Sequence, residues 1–237
     1  MAKRPEVLHD TRTVIYDSHH WNILGQIRKR AIEVIRKIEY SGISQPLVHG
    51  SVARGDVSES SDVDIIIPHP ISSYRLELAF GHVLHRELVQ ATPTTVLKGH
   101  IHLADNIVVS FPMFRLRPRE EEFYHWGGLL DLSGLEVQSR VAGVNKKLVL
   151  IQPTLTGHTE HGVIGHEYIV AKTLHVNVAI ARERVRVLTR RDSVGRTGVY
   201  LTRPLKESES FEEAVKHLQD SDPALRRTID RRQGRRR

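Results

Sequence analysis

The stretch from Leu47 to Pro68, L-V-H-G-S-V-A-R-G-D-V-S-E-S-S-D-V-D-I-I-I-P, constrains this chain more than any other. A short apolar run at Leu47 and Val48 stops at Gly50-Ser51. A polar spacer follows, and Asp62-Val63-Asp64 then heads the β-branched run Ile65-Ile66-Ile67. The pattern predicts strand, turn, short helix, strand. Side chains alternate along an extended segment, so Asp62 and Asp64 leave one face while Val63 points into a core. Two carboxylates crowded on one face repel unless a cation or a basic group lies between them.

Hard oxygen ligands of this kind suit Mg²⁺, which takes one or two protein carboxylates and completes its octahedron with water and substrate phosphates. Gly50-Ser51 offers the complement. Glycine lets a phosphate approach the backbone, and free N–H groups at a helix start face it. Ser51 adds a hydroxyl donor and Arg54 a charge. A nucleoside triphosphate is the molecule that would join the two halves of the stretch.

At these residues a resemblance becomes specific. G-S-x-x-R-G-D followed by S-D-x-D and an apolar run resembles the signature of the nucleotidyltransferases of the DNA polymerase beta superfamily, in particular the small prokaryotic and archaeal type. The resemblance implies an α/β (α+β) domain with a small mixed sheet, helices on one side and an open face carrying the acids. It implies that Gly50 and Ser51 hold the terminal phosphates of an NTP, and the charge of Arg54 is expected to assist them. It also implies that Asp62 and Asp64, with a third carboxylate, bind two Mg²⁺ (or Mn²⁺) ions. The reaction would be attack of an acceptor hydroxyl on the α-phosphorus, with pyrophosphate leaving.

The third carboxylate is where the sequence departs from the pattern. It belongs on a returning hairpin strand, where this chain has Val109 and Ser110. Asp105, in the expected turn, and Glu136, on a later short apolar segment, are the candidates, and neither is in register. Loss of that ligand would weaken one of two metals and remove a base for the attacking hydroxyl. The competing expectation is therefore a nucleic-acid-binding regulator whose domain binds nucleotide but turns it over weakly or not at all.

Composition narrows the partners. The chain has no cysteine, which excludes disulfides and thiolate chemistry and fits a reducing cytoplasm. No apolar run is long enough to span a membrane, and the amino-terminal residues Met1-Ala2-Lys3 lead into no apolar segment of a signal peptide. With 35 Lys plus Arg the net charge is +7, and arginine crowds the last third, ending in Arg231-Arg232-Gln233-Gly234-Arg235-Arg236-Arg237. Such a balance suits a polyanion, RNA being the favoured expectation although charge does not separate RNA from DNA, and leaves room for a protein partner or protein acceptor.

The remaining pattern suggests four segments: a nucleotidyltransferase domain over 1–112, a connection over 113–157, a basic α/β or winged-helix-like module over 158–203, and a helical, Arg-rich tail over 204–237. Asp17-Ser18 caps a long helix with Ile23, Leu24, Ile27, Ala31, Val34, Ile35 and Ile38 on its apolar stripe, and Gly42 ends it. Arg28, Lys29, Arg30, Arg36 and Lys37 are read as its solvated face. A second helix is expected from Ser72 to about Gln90, with His82 and His85 on its surface. A hairpin follows, turning at Asp105-Asn106.

Farther on, Phe123, Tyr124 and Trp126 read as rings packed on a core, with a nucleobase as the alternative. Gly157–Glu167 gathers His158, His161, His166, Glu160 and Glu167, a weak zinc candidate because the spacing is not H-E-x-x-H. The winged-helix reading sets two helices about a turn at His175, then a basic wing over 190–201. Arg182, Arg184, Arg186, Arg190, Arg191, Arg196 and Arg203 would contact phosphates. The arginine tail is expected to fray.

Overall fold

A short strand, β1 (Arg12–Ile15), leads to Asp17, whose carboxylate accepts the His20 N–H at 2.8 Å and starts α1 (Ser18–Tyr40). The helix stops as expected at Gly42, where φ is 79°. β2 (Leu47–His49), the single-turn helix α2 (Ser51–Arg54) and β3 (Val63–Ile66) follow in the order the motif predicts. Next come α3 (Ser73–Phe80), β4 (His85–Gln90), β5 (Lys98–Leu103), β6 (Ile107–Pro112), α4 (Pro118–Gly127), β7 (Leu129–Leu130) and α5 (Leu132–Glu136). The chain continues through β8 (Gly143–Val144), β9 (Val149–Thr154), β10 (Gly157–Gly162), α6 (Glu167–Thr173), α7 (Val178–Val194), β11 (Leu201–Pro204), α8 (Phe211–Ser221) and α9 (Pro223–Arg232). The α/β (α+β) class is as expected. This computed structural model describes residues 4–195 and 198–232. Among them no helix is long and apolar enough to cross a membrane.

Two units divide the chain. The described residues of the first lie within Met1–Ile32, Val48–Val63 and Glu121–Thr197. Its antiparallel strands run β1-β10-β9-β8, and β2 pairs antiparallel with β7. Its core packs Trp126, Leu148, Leu150 and Val163 with Val170, Ala171, Ile180 and Ala181 of α6 and α7, and Phe123 lies against that cluster. The expected packing of rings on a core is therefore what Phe123 and Trp126 do.

The second unit comprises Glu33–Leu47, Asp64–Glu120 and the described part of Gly198–Arg237. Its strands run β11-β4-β5-β6-β3. The hairpin turn is where the sequence places it, with Asp105 and Asn106 left-handed at φ 59° and 57° between the paired Leu103 and Ile107. Phe111 of β6 meets Phe211 of α8 edge to face, ring centroids 5.0 Å apart, and both are fully buried. A capping box at Ser210 and Glu213 starts α8.

Four expectations need correction. The helix from Ser72 ends at Phe80, because Gly81 takes φ 64°, and His85–Gln90 is instead a strand paired with β5. Cross-strand pairing there outweighs a helical spacing that rested on few residues. Gly157–Gly162 is a strand flanked by β9 and β1, so its histidines part company: His158 is buried with Nδ1 2.6 Å from the Tyr16 hydroxyl, and His161 Nδ1 lies 3.1 Å from Thr11 Oγ1. Glu160 pairs with Arg12 at 2.8 Å.

Helices α6 and α7 flank a turn in which His175 takes φ 53°, the position a turn glycine usually fills. However, α7 runs on through Arg190 and Arg191, which lie on a helix where the start of the wing was expected, and β11 pairs with β4. Finally, Arg232 is no frayed end: its Nη2 lies 2.6 Å from Glu120 Oε1, and its side chain is 2% exposed. The expectations for Met1-Ala2-Lys3, Arg196, Gln233, Gly234 and Arg235–Arg237 lie outside the described residues.

The Glu120–Arg232 pair yields a stability test. Burial alone would raise the Glu120 carboxyl, but the bonds from Arg232 and from the backbone N–H groups of Arg117 and Val96 outweigh it and hold it below its ordinary value. A depressed carboxylate contributes stability at neutral pH that is lost as pH falls through its folded-state value. Removing one partner of a buried pair costs about 3 kcal/mol. Arg232→Ala is expected to lower urea stability by about that much at pH 7, and the deficit should shrink in acid as Glu120 protonates. Chemical denaturation of both proteins across the acidic range checks it.

Candidate active site

The Gly-Ser turn is built from one side of β2. Val48 and His49 pair with Leu130 and Leu129 of β7, and the Gly50 N–H donates to the Gly128 carbonyl at 3.0 Å. Gly50 then turns at φ 80°, ψ −139°, a conformation closed to side-chain-bearing residues. The one-turn helix α2 closes with Arg54 N–H to Gly50 carbonyl at 3.0 Å and Gly55 N–H to Ser51 carbonyl at 2.7 Å. The first N–H groups of the turn have no intrahelical acceptor. Ser51 is half-buried, and its hydroxyl makes no hydrogen bond among the described residues.

Arg54 was expected at the phosphates, and the structure gives it another occupation. It is 5% exposed. Nε and Nη2 donate to the two oxygens of Asp56 at 2.9 and 3.0 Å, and Nη1 donates to the Gly127 carbonyl at 2.5 Å. The R-G-D of the motif is thus a closed clamp, in which Gly55 at φ 100° turns the chain so that Asp56 meets the guanidinium two residues back.

Arg28 supports the same helix from the other side. Its guanidinium donates to the Val52 carbonyl at 3.1 and 3.0 Å and to the Ala53 carbonyl at 3.2 Å. These are the orphan acceptors that α2 leaves at its end. Burial pushes Arg28 down to about 10, so it is charged at neutral pH. The reading of Arg28 as part of a solvated face is therefore wrong, and the signal was available: Arg28 stands four residues after Leu24 and three before Ala31, on the apolar stripe itself. Asp56 was also missed as a positioning residue, although the motif contains it. Gly127 carried no such signal, because its carbonyl is reached only through tertiary folding.

The two aspartates follow a polar turn in which the Ser61 N–H donates to the Ser58 carbonyl at 2.9 Å. Asp62 immediately precedes β3 and is exposed. Asp64 is the second residue of β3 and half-buried, while Val63 and Ile65 are fully buried. The alternation that the sequence predicts is present. Each carboxylate is a hard-oxygen donor of the kind that suits Mg²⁺.

No third acid joins them from β6. This strand neighbours β3, and the Ile67 N–H donates to the Ser110 carbonyl at 2.9 Å, but β6 reads Ile-Val-Val-Ser-Phe-Pro. Asp105 lies at the hairpin tip, and Glu136 is exposed at the end of α5. The basic residues of α7 also sort themselves: Arg182, Arg186, Arg190 and Arg191 are exposed, while Arg184 lies over the Phe123 ring at 4.9 Å. Arg203 pairs with Glu209 at 2.6 Å.

Against known families, the model of the nucleotidyltransferase domain matches residues 28–117. The match is consistent with the resemblance to the DNA polymerase beta superfamily. Comparison with curated proteins and with solved structures gave no match.

Backbone strain at the turn can be separated from packing. A Cβ at Gly50 would meet only Arg54 Nη1, at 4.0 Å, so space is not limiting. Gly50→Ala is expected to cost about 1–3 kcal/mol through its backbone conformation alone. The check is a lower urea midpoint with an unchanged m-value.

Proposed function

On the premise that residues 28–117 are a nucleotidyltransferase domain, we propose that this protein transfers a nucleoside monophosphate from an NTP to an acceptor hydroxyl, RNA being the favoured acceptor. The observation that carries the reading is the clamped Gly50–Ser51 turn, with its unshared Ser51 hydroxyl, in the same motif as the alternating Asp62 and Asp64. In this proposal Gly50 and Ser51 position the β- and γ-phosphates, and Arg54 acts through Asp56 by holding their turn. Asp62 and Asp64 would hold Mg²⁺ (or Mn²⁺), which supplies charge neutralisation at the phosphates when bound. The acceptor oxygen forms a bond to the α-phosphorus, the bond from that phosphorus to the bridging oxygen breaks, pyrophosphate leaves and the hydroxyl proton is released.

RNA is favoured by charge. The net +7 and the exposed arginines of α7 would contact phosphates without reading sequence. A protein hydroxyl or a small molecule would serve the same chemistry.

Incubation with each α-³²P-labelled NTP and Mg²⁺ or Mn²⁺, with total RNA and total protein as acceptors, tests the proposal. Label is expected in RNA and at background in the Asp62→Ala/Asp64→Ala double variant. Label unaffected by the double variant, or absent under every nucleotide and metal, would overturn the enzyme reading.

Ser110 on β6 favours one second reading, a nucleic-acid-binding regulator that keeps nucleotide binding with little or no turnover. In that case affinity for RNA falls steeply with salt and is indifferent to Asp62→Asn. Filter binding across a salt series distinguishes the two.

A further inference from the structure

The hairpin of β4 and β5 carries a second set of metal-ligating side chains whose chemistry differs from that of Asp62 and Asp64. The register sets His85 opposite His102 and Glu87 opposite His100. Directly opposed residues of antiparallel strands share a face, as do residues two apart on one strand. The four side chains therefore form a two-by-two block on one side of the hairpin.

Their ends converge. His102 Nε2 lies 3.0 Å from Glu87 Oε1, and His85 Nε2 lies 3.8 Å from Glu87 Oε2. The ligand atoms of Glu87, His100 and His102 all lie within 4.8 Å of one another. The His102 ring centroid is 5.3 Å from that of His85 and 6.3 Å from that of His100. One carboxylate–imidazole hydrogen bond needs only Glu87 and His102, whereas the His100 ring stands beside that pair as a further nitrogen donor. Lys98, two residues back on the same face, opposes a cation, and the Glu87 carboxylate offsets it.

We propose that Glu87, His100 and His102 form a site for a transition-metal cation of the Zn²⁺ class, with His85 placed to supply a fourth ligand. Imidazole with one carboxylate is a donor set that zinc accepts with three or four protein ligands, while Mg²⁺ prefers oxygen throughout. Tetrahedral zinc holds its ligand atoms about 3.4 Å apart, from bond lengths of about 2.0–2.1 Å. Closing the cluster from its present spacing requires side-chain rotation on a half-exposed face and no change of strand register. The site does not depend on the proposed nucleotidyl transfer.

Titration of the full chain with Co²⁺ alone, followed by visible absorption, tests the site, because four-coordinate Co²⁺ in a nitrogen and oxygen site shows an intense ligand-field band. One equivalent should saturate the band, Zn²⁺ should displace it stoichiometrically, and excess Mg²⁺ should leave it unchanged. His100→Ala/His102→Ala should abolish it. Glu87→Gln, which keeps the shape of the side chain, should weaken binding at least about tenfold with an unchanged thermal melt. Asp62→Ala/Asp64→Ala should retain the band. A missing band, a band that survives in the histidine variant, or one lost only in the aspartate variant would overturn the proposal.

Discussion

The bidentate pair between Arg54 and Asp56 fixes the geometry on which the Gly-Ser turn depends. Both side chains are largely withdrawn from solvent, at 6% and 14% exposure. Neither is stable there alone, because an uncompensated buried charge costs several kcal/mol. The pair therefore forces the chain to double back at Gly55, and the third guanidinium nitrogen carries the constraint to the Gly127 carbonyl. The neighbouring residue, Gly128, accepts the Gly50 N–H, so the turn is tied through both Gly50 and Arg54 to the Gly127-Gly128 junction between α4 and β7. Arg28 adds a buried positive charge at the carbonyl end of α2, the end where the helix dipole favours a cation. A single turn of helix would not persist on its own propensity. Here two arginines and two glycines hold it.

The order strand, turn, short helix, strand was legible because each step has a local cause. Gly50 needs its positive φ, the apolar run Ile65–Ile67 needs a core, and alternation puts Asp62 and Asp64 on the side away from it. The roles within the motif were less legible. Arg54 read as a phosphate ligand because a charge beside a Gly-Ser turn suggests one, and only the fold reveals Asp56 and Gly127 as its partners. The strand at His85–Gln90 was hidden for a similar reason. Its burial alternates, Leu88 and Gln90 inward, but that signal competes with helical spacing from Leu76 and Phe80 until pairing with β5 decides.

Two donor chemistries follow from these placements. Asp62 and Asp64 offer oxygen on an extended segment, suited to a hard cation that shares its shell with phosphates. The β4 and β5 hairpin offers nitrogen, set in rows by antiparallel register. Histidines spaced by two along one strand mean little in a chain with 15 of them. Their significance comes from the second strand, whose identity as a strand the sequence concealed.

In the proposed function Arg54 shapes the turn and leaves contact with the nucleotide to Gly50 and Ser51. Amide hydrogen exchange of the ligand-free Arg54→Lys protein tests it most directly, since lysine keeps the charge and loses the bidentate fork. Faster exchange is expected at the Gly50, Arg54 and Gly55 amides, whose acceptors are Gly128, Gly50 and Ser51. Unchanged protection at all three amides, together with weakened NTP binding, would contradict it and make Arg54 a direct phosphate ligand.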